Sequence, residues 1–294
     1  MTTPDLSAIA RPGGGFAMVA MDQRESLRTM FADAGAGVVG DETLIDFKTA
    51  VAETLGPIAS GFLADRTFGF DRVRAALPAT AGLILAADAL DQQPGEIVED
   101  TSLDESVIAP EFDRERVVAL KLLIIWRRDE QRERRNRLAR DFVSAAERLG
   151  LLSVLEPVVR ATPAELEAGT WDADVAIREC AEELSQVGQS LYKVQVPMAG
   201  AGDLTEQERA SAELGKVIRG PWVVLSQGVS LDRFADSVLA ACRGGASGFL
   251  AGRALWSDVV GAGDVRAELR ARSVPRLERL NDIVDREARP WTEA

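Results

Sequence analysis

Apolar residues in this chain gather in eight short runs, and stretches with helical spacing follow most of them. The runs are GFAMVAMD (15–22), SGFLAD (60–65), GLILAAD (82–88), VVALKLLIIW (117–126), LLSVLEP (151–157), LYKVQVP (191–197), WVVLSQG (222–228) and SGFLAG (247–252). Apolar positions are mostly continuous within each run, as in parallel strands buried on both faces. Between them, DETLIDFKTAVAETLG, RERRNRLARDFVSAAERLG, DADVAIRECAEELSQVG, TEQERASAELGKVI and SLDRFADSVLAACRGG carry the spacing of amphipathic helices. Several of these end in glycine, which suits a helix C-cap.

Eight strands with intervening helices predict a (β/α)8 TIM barrel of the α/β class. We expect a single domain over 1–294, with the barrel core at 14–262 and a C-terminal helical segment at 263–294. The stretch 89–113, rich in Asp, Glu, Pro and Gly, reads as a long βα-loop rather than a linker between domains. A doubly wound open sheet is the main alternative. It lacks support, because no G-x-G-x-x-G follows the first run and PGGGF precedes it.

Polar residues recur within or just after these runs: Asp22, Asp65, Asp88, Lys121, Glu156, Lys193, Ser226 and Arg253. In a TIM barrel the C-terminal strand ends form the active-site face. Side chains alternate along a strand, so Leu191, Lys193 and Gln195 share one face. Tyr192, Val194 and Val196 share the other, suited to packing under helices, which aims Lys193 into the barrel. Lys121 is likewise out of phase with Leu120 and Leu122.

Two ammonium groups converging on one cavity would each lower the other's pKa, and desolvation acts in the same direction. A neutral lysine is a nucleophile for carbonyls. The competing reading of both lysines is a structural one, snorkelling or ion-paired. Glu156 could shuttle protons during carbinolamine dehydration, and Pro157 after it, lacking an N–H, is expected to help end the strand. Asp22 opens DQRESLRTMF, so a helix cap and a catalytic carboxylate are equally open. Asp65 and Asp88 could equally cap βα turns. The last two runs end in SQGVS and AGRALW, where Ser226, Gly228 and Gly252 could let backbone N–H groups approach an anion. Arg253 could add a bidentate contact.

Composition narrows the chemistry further. The chain has no histidine, which removes Ser-His-Asp and Cys-His catalysis and His-ligated zinc. A formal charge of −13 argues against nucleic-acid binding and against adhesion to an anionic membrane. The basic stretch WRRDEQRERRNRLARD is laced with acids and reads as a solvated helix face. No apolar run is long enough to span a membrane, and MTTPDLSAIARPGGGF lacks the features of a signal peptide. Cys180 and Cys242 lack metal-type spacing and fit a reduced, cytoplasmic protein.

The segments GGFAMVAMDQRESLRTMF, ALKLLIIWRRDE, LEPVVR, LYKVQVP, PWVVLSQGV, GASGFLAGRALW and LNDIVD resemble the class I aldolases of the tagatose bisphosphate aldolase family. The resemblance runs in order from about residue 12 to about residue 287, and MDQRES and LKLLIIWR lean towards its sulfosugar branch. It implies a TIM-barrel lyase that cleaves a ketose phosphate through a lysine Schiff base, with no cofactor and no metal. In the sulfosugar branch the substrate is 6-deoxy-6-sulfofructose 1-phosphate, cleaved to dihydroxyacetone phosphate and sulfolactaldehyde during sulfoquinovose breakdown. Cleavage of tagatose bisphosphate and a transaldolase acting on sulfofructose are alternatives, and a non-catalytic sugar-phosphate sensor is a remote one.

By motif, Lys193 takes the Schiff-base role, and Glu156, Lys121 and Asp22 become candidates for proton transfer and for tuning it. Arg253, with Ser226 and the backbone at Gly228 and Gly252, is assigned to one anionic end, the phosphate. Gln23 and Arg24 are assigned to the sulfonate, and the reverse division is the alternative. Gln195 stands where the family often has glutamate, and Gln227 where it usually has a small residue. We expect a homo-oligomer, with SVPRLERLNDIVDREARPW either joining subunits or packing on its own barrel.

Overall fold

The structure, a computed structural model, describes residues 4–92 and 97–294. Residues 1–3 of the N-terminal stretch and 93–96 of the long loop therefore lie outside the described residues.

The eight apolar runs form eight parallel strands. They are β1 (Phe16–Met21), β2 (Gly61–Ala64), β3 (Gly82–Ala86), β4 (Val117–Trp126), β5 (Leu152–Val159), β6 (Leu191–Gln195), β7 (Trp222–Leu225) and β8 (Gly248–Ala251). They pair in sequence order and close through β1 and β8, with Phe16 opposite Gly248. Helices at Asp41–Leu55, Arg132–Arg148, Ala173–Leu184, Leu204–Gly215 and Leu231–Arg243 occupy the stretches that helical spacing predicted. This is a (β/α)8 barrel.

Strand parity sorts the core into two compartments. Phe16, Met18, Leu63, Ile84, Ala119, Val154, Leu191, Val223 and Leu250 pack together inside the barrel. Tyr192, Val194 and Val196 instead join the larger cluster between barrel and helices, as alternation along β6 requires. Leu6 and Ile9, both fully buried, add to the interior cluster and close the barrel floor ahead of β1. Continuing each inward-facing row toward the opposite end replaces apolar residues with Asp22, Asp65, Asp88, Lys121, Glu156 and Lys193. The same alternation thus makes a dry floor and a charged ceiling.

Three expectations change in detail. The 89–113 stretch is not irregular throughout. Asp88–Asp91 pairs antiparallel with Asp100–Leu103, and a helical turn follows at Glu105–Ile108, capped by Asp104. Thr101 Oγ1 donates to the Leu123 carbonyl at 2.7 Å, pinning this hairpin to β4.

Pro157 does not end its strand, because β5 runs on to Val159. The ladder from β5 to β6 stops at Leu155 opposite Tyr192, so no β6 carbonyl is left waiting for a donor at Pro157. The next N–H on that side, from Val159, donates to Gln195 Oε1 at 2.7 Å. Gln195 therefore turns sideways to finish the ladder that the β6 backbone does not reach, rather than facing Lys193. Gln195→Leu leaves this N–H unpaired, and a loss of about 1–3 kcal/mol of stability is expected. Denaturant unfolding of the variant measures it.

The C-terminal helix Val274–Glu287 packs on its own barrel. Leu277, Leu280, Ile283 and Val284 are buried in the outer cluster, and Asn281 Nδ2 donates to the Ile58 carbonyl at 2.8 Å. Both cysteines are buried free thiols, and burial pushes the Cys242 thiol up to about 12.

Candidate active site

A cavity of about 290 Å³ opens at the C-terminal strand ends. Asp22, Gln23, Arg24, Lys121, Glu156, Lys193, Ser226, Gly252 and Arg253 all line it, so these predicted site residues converge. Gly228 does not line it; it sits at positive φ in the exposed turn after β7, while Ser226 and Gln227 face the cavity. Next to Lys121 and Glu156 on the same strands, Leu123, Ile125 and Val158 pack with Val98 and Leu225 to form an apolar wall.

Lys193 is 3% exposed, and its Nζ lies 2.8 Å from Glu156 Oε1. The other oxygen of Glu156 is 3.0 Å from Lys121 Nζ but has no hydrogen-bonded donor. Lys121, 2% exposed, also donates to Asp22 Oδ2 at 2.7 Å and to Asp88 Oδ2 at 3.0 Å. Burial pushes the Lys121 ammonium down, but Asp22, Asp88 and Glu156 outweigh burial and hold it well above the usual lysine range. The sequence-based expectation that two converging lysines depress each other is therefore reversed for Lys121, because three carboxylates surround it. Burial pushes the Asp22 carboxyl up, while Lys121, then Lys193, pull harder and hold it well below the usual carboxylate range.

The helix after β1 settles the alternative role of Asp22. That helix begins at Glu25 with Arg24 at its N-cap position and no side-chain cap, so Asp22 does not cap it. Asp65 does serve its βα turn, accepting from the Phe68 N–H at 2.9 Å, and it also pairs with the buried Lys48. Asp88 belongs to the site. It accepts from Lys121, from the Leu123 N–H and from Arg24 Nη2, the last at 2.8 Å.

Arg24 is committed within this network. Its Nη1 donates to the Asp88 carbonyl at 2.9 Å, and its Nε lies 4.0 Å from Asp65. A continuous chain results: Lys48, Asp65, Arg24, Asp88, Lys121, Glu156 and Lys193, with Asp22 on Lys121. Lys48, Arg24, Lys121 and Lys193 thus face Asp65, Asp88, Asp22 and Glu156, four cations against four carboxylates. Buried charges persist only when paired.

Uncharged contacts complete the wall. Gln23 Oε1 is buried and has no donor, leaving an acceptor for a ligand hydroxyl. Gly252 is required beside it, because a Cβ there would meet the Ala20 carbonyl at 2.6 Å and Gln23 Nε2 at 3.1 Å. Ser226 Oγ accepts from the Ala254 N–H at 3.5 Å, tying the end of β7 to the segment that starts with Arg253.

A parallel barrel with buried lysines and carboxylates gathered at the C-terminal strand ends carries its ionisable groups on the face where such barrels hold their active sites. The sequence profile of the DeoC/LacD family aldolases matches residues 16–258, and the chain belongs to that family. Tagatose 1,6-diphosphate aldolase 2 of Streptococcus pyogenes serotype M3 is 27% identical, across 95% of this chain and 94% of that protein. Tagatose 1,6-diphosphate aldolase of Listeria monocytogenes serotype 4a is 26% identical, across 97% and 92%. Among solved structures, fructose-bisphosphate aldolase from Plasmodium falciparum superimposes with a TM-score of 0.71 at 13% identity, covering 96% of this chain and 93% of that one. That likeness is one of fold. Among the described residues, no helix is long and apolar enough to cross a membrane.

Proposed function

We propose that the protein is a class I aldolase that cleaves a ketose 1-phosphate bearing a second anion at its far end. The observation that carries this reading is the Lys193–Glu156–Lys121 arrangement, with Glu156 within 2.8 Å and 3.0 Å of the two ammonium groups. The charge balance supports it as well. Moving a proton from Lys193 to Glu156 frees the amine for attack and keeps the network neutral overall.

The free amine of Lys193 adds to the C2 carbonyl, and Glu156 returns its proton to the carbinolamine hydroxyl, which leaves as water. In the resulting iminium, loss of the C4 hydroxyl proton to Glu156 breaks the C3–C4 bond. The bonding pair moves into an enamine and the aldehyde departs. Protonation of the enamine at C3 and addition of water then release dihydroxyacetone phosphate and regenerate Lys193. Lys121 stays protonated throughout and steadies Glu156, while Asp22 stays ionised as its fixed counter-charge. Arg253 and Ser226 face the phosphate. No step requires a cofactor.

The sulfosugar-type motifs MDQRES and LKLLIIWR favour 6-deoxy-6-sulfofructose 1-phosphate as substrate, which makes the protein a sulfofructosephosphate aldolase. The names of the Streptococcus and Listeria relatives favour a second reading, tagatose 1,6-bisphosphate. Incubation with dihydroxyacetone phosphate and borohydride tests the chemistry. A reduced adduct should map to Lys193 by mass spectrometry, and a protein without one is not a Schiff-base aldolase. Cleavage rates on the two ketoses then separate the substrates, and equal rates would defeat a sulfosugar-specific assignment.

A further inference from the structure

We propose that Arg160 is the receptor for the tetrahedral oxyanion, sulfonate or phosphate, at the end of the substrate farthest from the carbonyl. This rests on the aldolase reading for the identity of the ligand, though not for the existence of an anion site. Three arginines line the cavity: Arg24, Arg160 and Arg253. Arg24 gives both terminal nitrogens to Asp88, and although its Nε also lacks a hydrogen-bond partner, that atom lies 4.0 Å from the Asp65 carboxylate. Arg160 forms no ion pair among the described residues, and its buried Nε has no hydrogen-bond partner. Leaving a guanidinium donor both buried and unpaired is costly unless a ligand satisfies it. Nearby, Arg127 repels Arg160 and Glu99 attracts it, but the Glu99 carboxylate is already paired with Arg127 at 2.6 Å and forms no ion pair with Arg160.

Placement supports the same role. Glu156, Val158 and Arg160 follow one another on the inward face at the end of β5, and all three line the cavity. Backbone bonds hold that end in place, from the Arg160 N–H to the Trp126 carbonyl at 2.9 Å and from the Val159 N–H to Gln195. In the barrel order, β6 with Lys193 and β7 with Ser226 separate β5 from β8, after which Arg253 follows. A ligand with an anion at each end, joined by a chain bonded to Lys193, would therefore reach from Arg253 past Lys193 to Arg160. The apolar Val158 beside Arg160 limits water around the pair, which strengthens a charge-assisted bidentate contact.

Two measurements test this. Calorimetric titration of the full chain with inorganic sulfate should show two sites, with Arg160→Gln removing one and Arg253→Gln the other. Arg160→Lys should recover part of the lost affinity, which a merely structural role would not produce. In kinetics, Arg160→Gln should lower the ratio of kcat/KM for the doubly anionic ketose to that for its uncharged-tail 1-phosphate analogue at least tenfold. Unchanged sulfate stoichiometry in Arg160→Gln, or an unchanged ratio, overturns the proposal. A wild-type protein that gives no borohydride adduct would fail the aldolase reading alone, because the sulfate titration still decides Arg160.

Discussion

Lys193→Ala is expected to abolish ketose cleavage and the borohydride adduct, with kcat reduced on the order of 10⁴-fold or more, the scale of losing a covalent nucleophile. The size of the effect follows from the absence of a substitute. Lys121 is the other lysine at the cavity, and three carboxylates hold it protonated, so it cannot become the amine that attacks. The fold should survive, because Glu156 keeps its contact with Lys121 at 3.0 Å when Lys193 is truncated. Circular dichroism and a thermal melt check this point. Residual turnover within a hundredfold of wild type would remove Lys193 from the covalent role.

The largest loss of stability is expected from Lys121→Met. Removing that ammonium leaves Asp22, Asp88 and Glu156 facing one another in a buried site, a change that costs about 3–5 kcal/mol for a broken buried pair. The wild-type pH dependence should report the same network. Asp22 has its folded pKa below its unfolded value, so its contribution is present above about pH 4 and fades as pH falls through the lower folded value. Lys121 has its folded pKa above its unfolded value, so its contribution is complete below about pH 10 and is lost as pH rises through the higher one. Lys121→Met should flatten the acid limb attributable to Asp22. Guanidinium unfolding between pH 3 and pH 8 measures both effects, and a loss below about 1 kcal/mol at pH 7 would show that the cluster relaxes or takes up protons freely.

Much of this was legible from residue patterns. Continuous apolar runs at regular spacing specify buried parallel strands, and alternation within LYKVQVP suffices to turn Lys193 inward. Less legible was whatever depends on neighbours across the barrel. Asp65 and Asp88 both end apolar runs and look alike in sequence, yet one serves a turn while the other is held by Lys121, Leu123 and Arg24. The shift of Lys121 is predicted with the wrong sign because Asp22, Asp88 and Glu156 lie in or just after three different strands and meet on it only in the closed barrel. Arg24 looks like a free cation until its two carboxylate partners are seen. Arg160 is hidden in the sequence because proline normally interrupts a strand. The early end of the β5–β6 ladder allows β5 to continue past Pro157, which puts Arg160 at the same strand parity as Glu156, four residues on.

The closed floor beneath the cavity also governs the order of traffic. Leu6, Ile9 and Phe16 are fully buried below the reacting groups, so material enters and leaves at the rim. In the proposed Schiff-base mechanism, one fragment stays bonded to Lys193 after carbon–carbon cleavage. That mechanism predicts that the aldehyde leaves before water releases the ketone, and that in the condensing direction the ketone enters first. With the floor closed, that order would be set by which fragment is covalently held.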